Sequence, residues 1–223
     1  MANPLFITVC LSLGTYLICG IPFGLIITSL MTHTDIRSMG SGNIGSTNVG
    51  RSVGKTAAAL TLIADTCKAL VCSVLTREVV VATLAAGQRS TTMPDGAWGW
   101  IGGIVVLMAI IGHVFSPYLH FTGGKGIAAG FGAIIGYAPL VACGLLIVFL
   151  GLVCTTKLVS AGSVAAAISM PVWIVVLYQA TPQVLVSIVL ASCIVVWAHR
   201  SNICKLLQGE EKRFSFHASN GEK

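Results

Sequence analysis

The sequence predicts an all-α polytopic integral membrane protein with about seven transmembrane helices. Its 223 residues are 55% hydrophobic and only 9% charged, whereas soluble domains are about 25% charged. The mean hydropathy is +0.90, and apolar runs long enough to cross about 30 Å of hydrocarbon recur between short polar segments. We therefore interpret residues 1–223 as a single membrane domain.

The predicted spans differ in the residues that interrupt them. Pro22, inside the first apolar run, predicts a kink or a close helix contact. The 31 residues between Lys125 and Lys157 carry no formal charge and would form a helix of about 46 Å, longer than one span needs. The turn signal at 136–139 divides them into a short helix and a full span. The predicted spans are 4–31, 56–76, 98–118, 126–136, 138–155, 158–178 and 184–198.

The positive charges predict the orientation in the membrane. With seven spans, ten Lys and Arg residues lie on one side and only Arg77 and Arg89 on the other. Cytoplasmic loops carry the excess of basic residues, so we expect the N-terminus outside and the C-terminus in the cytoplasm. The expected cytoplasmic motif loops are 38–55, 121–126 and 199–211. The expected external connection is 77–97, either a loop throughout or one that begins with a short continuation of the helix. Residues 214–223 are expected to be a flexible tail.

Two features of the composition exclude other classes of protein. The net charge of +6 does not indicate nucleic acid as a partner, because the basic residues are scattered and form no stripe. The eight cysteines lie almost entirely in apolar runs and form no Cys-x-x-Cys pair. We interpret them as small hydrophobic residues rather than as disulfide partners or metal ligands.

The glycine-rich loop (38–55) separates the first two spans and has the composition of an anion site. Glycines let successive backbone amides turn toward an anion, and the guanidinium of Arg51 can bind two phosphate oxygens at once. A flexible loop whose glycines only permit turns would look the same. The residue order matches neither the phosphate loop of nucleotide hydrolases nor a dinucleotide fingerprint, so an anion other than a nucleotide is favoured.

Asp65 and Lys68 are the charged residues within the second predicted span. They lie three positions apart and so share one helix face. Charges at this depth are costly unless they are paired or functional, so we expect both side chains to face the protein interior. The pair is either a structural ion pair or a direct participant in the chemistry.

Three separated motifs resemble those of the bacterial acyl-phosphate:glycerol-3-phosphate acyltransferases, the PlsY family. The first motif, 41–51, reads Ser-Gly-Asn-Ile-Gly-Ser-Thr-Asn-Val-Gly-Arg. The second, 112–126, begins Gly-His-Val-Phe and ends Gly-Gly-Lys-Gly, and the third, 199–210, begins His-Arg-Ser-Asn-Ile and ends Gly-Glu. If the seventh helix continues through the third motif, His199 and Asn202 point the same way, one turn apart. Order, spacing and span number are similar over almost the whole chain.

The resemblance implies a membrane enzyme that transfers a fatty acyl group from acyl phosphate to the sn-1 hydroxyl of glycerol 3-phosphate, giving lysophosphatidic acid and phosphate. It implies a bacterial inner membrane with surrounding lipid, no cofactor, no metal, and an acyl-phosphate-forming enzyme as a working partner. The catalytic residues that it implies are Ser41, Arg51, Lys125, Ser160, His199 and Asn202, with Ser163 as a rival of Ser160. The residues expected to bind phosphate are Gly42, Asn43, Gly45, Thr47, Asn48, Gly123, Gly124 and Gly126.

The sequence departs from the family pattern at several positions. Thr122 and Ala198 stand where the family often has Lys and Arg, so two expected cations are absent. Ser116 precedes Pro117 where the family commonly has its proline one position earlier, and Ala69 follows Lys68 where it has glycine. Substrate affinity or turn geometry is expected to differ, while the residues assigned to the chemistry are intact.

The chemistry of acyl phosphate leaves the proton acceptor open. Phosphate is a good leaving group, so the glycerol hydroxyl can attack directly without an acyl-enzyme. Arg51 and Lys125 would neutralise phosphate charge, while Ser41 and Asn202 would steady the developing oxyanion or the polyol. Either His199, with an ordinary pKa of about 6.5, or a substrate phosphate oxygen can accept the proton.

An anion or phosphate-ester transporter is the alternative from another class. Buried cations and broken helices would suit it too, but it predicts internal repeats and a binding site near the bilayer midplane. Here no repeat is evident and the polar motifs converge on one face. A purely structural membrane scaffold would leave the glycine-rich loop and the buried Asp65 without a reason.

Overall fold

The computed structural model describes residues 3–213, whose regular structure is entirely helical. The predicted tail at 214–223 lies outside the described residues. The α-helices are α1 (Pro4–Gly20), α2 (Phe23–Thr32), α3 (Ser46–Ser52), α4 (Lys55–Thr83), α5 (Gly99–Val114), α6 (Ile127–Tyr137), α7 (Pro139–Thr156), α8 (Val159–Tyr178), α9 (Pro182–Ala198) and α10 (Arg200–Leu207). Short 3₁₀ turns at Ile36–Ser38, Arg89–Thr92 and Pro117–Leu119 lie in the connections.

Five segments are long and apolar enough to cross a membrane. They are Pro4–Thr32, Lys55–Thr83, Gly99–Leu119, Pro139–Thr156 and Val159–Tyr178. Helices α9 and α10 together form a sixth candidate, broken by a bend of 60°, while α6 is apolar but has only 11 residues. The helical fold class therefore agrees with the sequence, with five or six spans by length and composition.

The first span is broken where Pro22 predicts a kink. Helix α1 ends at Gly20 and α2 begins at Phe23, so Ile21 and Pro22 are not helical. The Nζ of Lys68, on α4, donates a hydrogen bond of 2.8 Å to the carbonyl oxygen of Ile21. Because a broken helix leaves backbone carbonyls without their usual partner, this bond stabilises the break. The predicted kink is confirmed.

Helix α4 continues beyond the predicted span. The second span was expected to end at residue 76, with a short continuation left open, and the helix reaches Thr83, so the external connection begins at Leu84. At 29 residues the helix is about 44 Å long, so it projects beyond the hydrocarbon. Its projecting part carries Glu78, which accepts hydrogen bonds from Arg77 and Arg89. Charged residues there did not end the helix because water can solvate them.

Helix α5 is the centre of the bundle. Its candidate span is 61% buried, whereas the other four are 22–33% buried and expose apolar side chains such as Leu30 and Ile147. It packs against α1, α4, α6 and α9. Val106, Ala109 and Ile110 of α5 belong to the main hydrophobic core. The end of α5 is therefore a rigid platform for the turn that follows it.

The short helix α6 packs closely on α4 through two glycines one turn apart. A Cβ atom at Gly132 would lie 2.0 Å from the Thr66 carbonyl oxygen, and one at Gly136 would lie 2.8 Å from the Ser73 Cβ. Small residues at this spacing let helix backbones approach each other. At the C-terminal end of α6, Tyr137 donates a hydrogen bond to the Gly99 carbonyl, 2.8 Å away.

The seventh helix does not continue through the third motif, which was the condition for His199 and Asn202 to lie one turn apart. Helix α9 ends at Ala198, and His199 has φ −93° and ψ 5°, which is the sparsely populated bridge region. Its N–H donates to the carbonyls of both Val195 and Val196. Helix α10 therefore leaves at 60° to α9, and His199 and Asn202 do not lie one turn apart on a continuous helix.

The close contact between α6 and α4 predicts a difference between two glycine substitutions. Gly132→Ala should destabilise the protein by about 1–3 kcal/mol, because the new methyl group overlaps the backbone of α4. Gly151→Ala is the matched control, since nothing lies within 4 Å of a Cβ atom at that position on α7. Thermal unfolding in detergent should show a lower Tm for Gly132→Ala alone, and equal Tm values would contradict this packing.

Candidate active site

The three motif segments meet through a chain of hydrogen bonds at one end of the bundle. Lys125 Nζ donates to Asn202 Oδ1 at 2.5 Å, and Asn202 Nδ2 donates to Glu211 Oε1 at 2.9 Å. Next to Glu211, the carbonyl oxygen of Lys212 accepts a hydrogen bond of 3.3 Å from the guanidinium of Arg51. Residues up to 161 positions apart in the chain are thereby joined.

Asn48 organises the glycine-rich loop from within. Its side chain is buried, and its Oδ1 accepts a hydrogen bond of 2.8 Å from the Ser41 N–H. Its Nδ2 donates to the carbonyls of Met39 and Asn43, at 3.0 and 2.9 Å. The amide of Asn48, which the sequence predicts to bind phosphate, is thus engaged in holding the loop. Ser41 itself is exposed at the loop surface.

Of the five glycines expected to bind phosphate, four have their N–H groups engaged within the protein. Gly42 donates to the Met39 carbonyl, and Gly45 donates to the Asn43 side chain, both at 2.9 Å. Gly123 and Gly124 donate to carbonyls at the end of α5, at 2.9 and 3.0 Å. These contacts also occupy Asn43 Oδ1. The glycines therefore shape the loops, and the charge available for an anion comes from side chains.

The remaining two expected phosphate-binding residues flank short helices. Gly126 has φ +81°, a left-handed conformation that glycine adopts without steric cost, and it directly precedes α6. Thr47 is half-buried in the first turn of α3. Gly126 thus sets the direction in which the chain leaves Lys125.

Lys125 lies in a partly buried and predominantly cationic environment. Burial lowers the pKa of its ammonium group below the ordinary 10.5. The carboxylate of Glu211 raises this pKa, while the positive charges of Arg51 and Lys205 lower it. Three cations around one carboxylate form a site that favours an anionic ligand.

His199 is buried in a defined tautomeric state. Its Nδ1 lies 2.8 Å from the Val195 carbonyl oxygen, and because a carbonyl only accepts, Nδ1 carries the proton. Nε2 is then the unprotonated nitrogen. Burial lowers the pKa of His199 below 6.5, the bond to Val195 raises it, the charge of Lys125 lowers it, and Glu211 raises it. The imidazole is therefore neutral at pH 7 and able to accept a proton.

Ser160 lies in the first turn of α8, which contacts α10. Its Oγ is buried and has no hydrogen-bond partner within residues 3–213. A buried hydroxyl without a partner is uncommon, so this group is available to a ligand. Ser163, the rival candidate, is also buried, and the described residues show no hydrogen bond between either serine and Lys125 or Asn202.

Asp65 and Lys68 face the interior, as expected. Their side chains are each 3% exposed and form an ion pair of 2.6 Å. Lys68 also lies 3.3 Å from the Nδ1 of His113 and bonds the Ile21 carbonyl. Within residues 3–213, no hydrogen bond joins the pair to Arg51 or Lys125, so it does not belong to the chain of hydrogen bonds at the site.

Two residues of the site were missed by sequence reasoning. Glu211 accepts from Asn202, and Lys205, on α10, contributes positive charge near Lys125. Both lie in or beside the third motif, but nothing in the sequence distinguishes Glu211 from the exposed Glu210 beside it. The chain bends at His199, and beyond this bend Glu211 is the glutamate that contacts Asn202.

Comparisons with known proteins agree over nearly the full chain. A family model described as glycerol-3-phosphate acyltransferase matches residues 9–209. The glycerol-3-phosphate acyltransferase of Trichlorobacter lovleyi is 39% identical over 90% of this chain and 94% of its own length. That of Geobacter sulfurreducens is 36% identical over 96% and 99%.

The fold is similar to that of solved structures. The crystal structure of PlsY, an integral membrane glycerol 3-phosphate acyltransferase, in its glycerol 3-phosphate form has a TM-score of 0.78. It is 29% identical in sequence, and the match covers 93% of this chain and 96% of that one. The lysophosphatidic acid form matches with a TM-score of 0.77, the same identity, and coverage of 93% and 95%.

The environment of Lys125 predicts its titration. The pH dependence of its acylation by an amine-specific reagent, followed by mass spectrometry, should give a midpoint below 10.5 in the folded protein. After denaturation the midpoint should rise to the ordinary value for lysine, about 10.4, so the folded protein should show the lower midpoint of the two. Glu211→Gln should lower the folded midpoint further, because it removes a negative charge that raises this pKa.

The matched control for this titration is Glu210→Gln, which neutralises the exposed neighbour and should leave the midpoint unchanged. Equal midpoints in folded and denatured protein, or equal effects of the two substitutions, would refute the assigned environment.

Proposed function

Because the chain belongs to the glycerol-3-phosphate acyltransferase family, it is a membrane acyltransferase of phospholipid synthesis, and we propose that its acyl donor is acyl phosphate. The acyl group would pass to the sn-1 hydroxyl of glycerol 3-phosphate, giving lysophosphatidic acid and inorganic phosphate. The observation that supports this site is a set of hydrogen bonds. Lys125 bonds Asn202, Asn202 bonds Glu211, and Arg51 bonds the carbonyl of the neighbouring Lys212. Family membership also favours the enzyme over the transporter considered above.

The cationic side chains are proposed to hold the phosphates. Both substrates carry a phosphate group. Arg51 bonds the carbonyl of Lys212, and Lys125 bonds Asn202, whose side chain bonds the neighbouring Glu211. The planar guanidinium of Arg51 suits two phosphate oxygens at once. Lys125 is partly buried, so its charge acts more strongly than it would in water. Charge neutralisation thus rests on side chains rather than on the glycine amides.

The transfer itself is proposed to be direct. The hydroxyl oxygen of glycerol 3-phosphate forms a bond to the acyl carbonyl carbon, the bond from that carbon to the phosphate oxygen breaks, and phosphate leaves. Nε2 of His199 accepts the hydroxyl proton, which the Nδ1 bond to Val195 favours by keeping Nε2 unprotonated. Ser41 and Ser160 are the hydroxyl groups proposed to contact substrate, and Asn202 orients Lys125 through their hydrogen bond.

The site is proposed to face the cytoplasm of a bacterial cell, from the inner membrane. Seven crossings result if α6, with 11 residues, counts as a partial span together with the five candidates and the bent pair. The N-terminus then lies outside and ten of the thirteen basic residues lie on the site's side. This placement gives the site access to cytoplasmic glycerol 3-phosphate and to acyl phosphate from the enzyme that forms it.

Arg51 and the acyl donor are tested together with purified protein in detergent. Acyl phosphate and labelled glycerol 3-phosphate should yield phosphate and lysophosphatidic acid, whereas acyl-CoA should not replace the donor. Arg51→Ala should lower kcat/KM by about 10²–10³, the range for loss of one electrostatic contact to developing charge, and Arg51→Lys should recover only part.

Arg37→Ala is the matched control, because Arg37 is an exposed arginine of the same region whose guanidinium is paired with Asp35. It should retain wild-type activity. Equal use of acyl-CoA would refute the donor, and an active Arg51→Ala would refute the role of the guanidinium.

His199 is tested by two substitutions and a pH profile. His199→Ala should lower kcat by about 10²–10⁴. The wild-type rate should fall on the acidic side with a midpoint below pH 6.5, since the lowered pKa keeps the imidazole neutral down to that range. His199→Asn can still donate to the Val195 carbonyl but has no basic nitrogen, so it should be equally impaired. An acidic limb that persists in both variants would instead assign proton acceptance to a substrate phosphate.

A further inference from the structure

We propose that His113 is a positioning residue for acyl transfer: the buried pair of Asp65 and Lys68 holds its imidazole against the turn that carries Lys125. The proposal rests on the role proposed above for Lys125. It adds His113, which the sequence placed in the second motif without a function, and it gives the buried ion pair a function beyond stability.

The first argument is that Lys68 of the buried pair also contacts His113 and the helix break. Lys68 Nζ donates to Asp65 Oδ1, to the Ile21 carbonyl and to His113 Nδ1, at 2.6, 2.8 and 3.3 Å. It also lies over the ring of Phe23, 5.5 Å from the centroid. An ammonium has three protons to donate, and these three acceptors use all of them. The cluster therefore has one arrangement and fixes the imidazole of His113.

The second argument is the orientation of that imidazole. An ammonium only donates, so His113 Nδ1 accepts from Lys68 and the ring proton lies on Nε2. Nε2 points at Gly124, since a Cβ atom built on Gly124 would lie only 2.1 Å from it. The residue directly before Lys125 must therefore be glycine for the ring to occupy this position.

The third argument is the backbone pairing between the end of α5 and the turn. Gly124 N–H donates to the carbonyl of His113 itself, at 3.0 Å, and Gly123 N–H donates to that of Val114, at 2.9 Å. His113 thus contacts the turn with both its backbone and its ring. Lys125 follows directly, and its Nζ reaches Asn202.

These contacts form a continuous path from the membrane interior to the site. The path runs from the break at Ile21 through Lys68 and His113 to Gly124 and Lys125. Groups that supply charge to a reaction must be held within about 0.5 Å of their productive position, which their supporting residues ensure. Loss of the imidazole would let the turn shift while leaving Lys125 present, and a displacement of about 1 Å can lower a rate by about 10².

The test is a double-mutant cycle on the full-length enzyme in detergent. His113→Ala should lower kcat/KM for glycerol 3-phosphate acylation by about 10–10². Gly124→Ala should also lower it, because the methyl group displaces the ring. The double variant should be no worse than His113→Ala alone, since the clash disappears with the ring. A Gly124 effect independent of the ring predicts losses that multiply instead, and a purely structural role of His113 predicts a lower Tm with unchanged kcat/KM of the folded enzyme. Either result would overturn the proposal.

Ser116→Ala is the matched control. Ser116 lies just beyond the same end of α5, is fully buried, and donates 2.6 Å to the Gly20 carbonyl beside the same helix break. It should lower Tm while kcat/KM of the folded enzyme stays near wild type. If His113→Ala does not fold, His113→Asn replaces it, because its amide oxygen still accepts from Lys68 but the ring is gone.

Lys125→Ala separates the two proposals. If this variant is fully active, the role proposed for Lys125 fails and takes the positioning role with it. If Lys125→Ala loses activity while folded His113→Ala or His113→Asn keeps wild-type kcat/KM, the positioning role alone fails.

Discussion

The structure depends on one lysine, Lys68, which donates a hydrogen bond to a backbone carbonyl where the first span is broken. A membrane-spanning chain must pair its backbone polar groups internally. At the break, the Ile21 carbonyl accepts hydrogen bonds from the Phe23 N–H at 3.1 Å and from Lys68 at 2.8 Å. The charge of Lys68 in turn requires Asp65. Removing one partner of such a pair leaves an uncompensated buried charge, which is costly. The fold around α1, α4 and α5 is therefore set by electrostatics as much as by apolar packing.

The candidate site is assembled on a different principle, in which the backbone is used for shape and the side chains for charge. Four of the five glycine amides expected to bind phosphate are bonded to carbonyls or to an asparagine side chain. They shape the loop that leads into α3, which carries Arg51, and the turn that presents Lys125. Because guanidinium and ammonium groups carry full charges, they can bind phosphate without free amides. The glycines serve the chemistry indirectly, by permitting close approaches such as that of Gly124 to His113.

The sequence predicted the parts of this molecule that are governed by local chemistry. Proline has no N–H and cannot continue a helix, so the break at Pro22 could be predicted. The short α6 could also be predicted, because the uncharged run between Lys125 and Lys157 is longer than one span needs. A short continuation of the second helix was left open, but its end at Thr83 could not be predicted because Arg77 and Glu78 resemble a loop until their partners are known. The bend at His199 has no glycine or proline to announce it. The hydrogen bonds of Asn48 and the position of Glu211 were not predicted, because contacts with residues elsewhere in the chain decide them.

Glu211 has a consequence for anion binding. Its carboxylate accepts a hydrogen bond from Asn202 and raises the pKa of Lys125, so the site contains a counter-ion of its own. An incoming anion competes with a tethered monoanion whose effective concentration is high. Chloride or a small carboxylate gains little by this exchange, whereas a phosphate monoester brings more charge and three acceptor oxygens. At the proposed site, the built-in carboxylate thus favours a phosphate monoester over anions of lower charge.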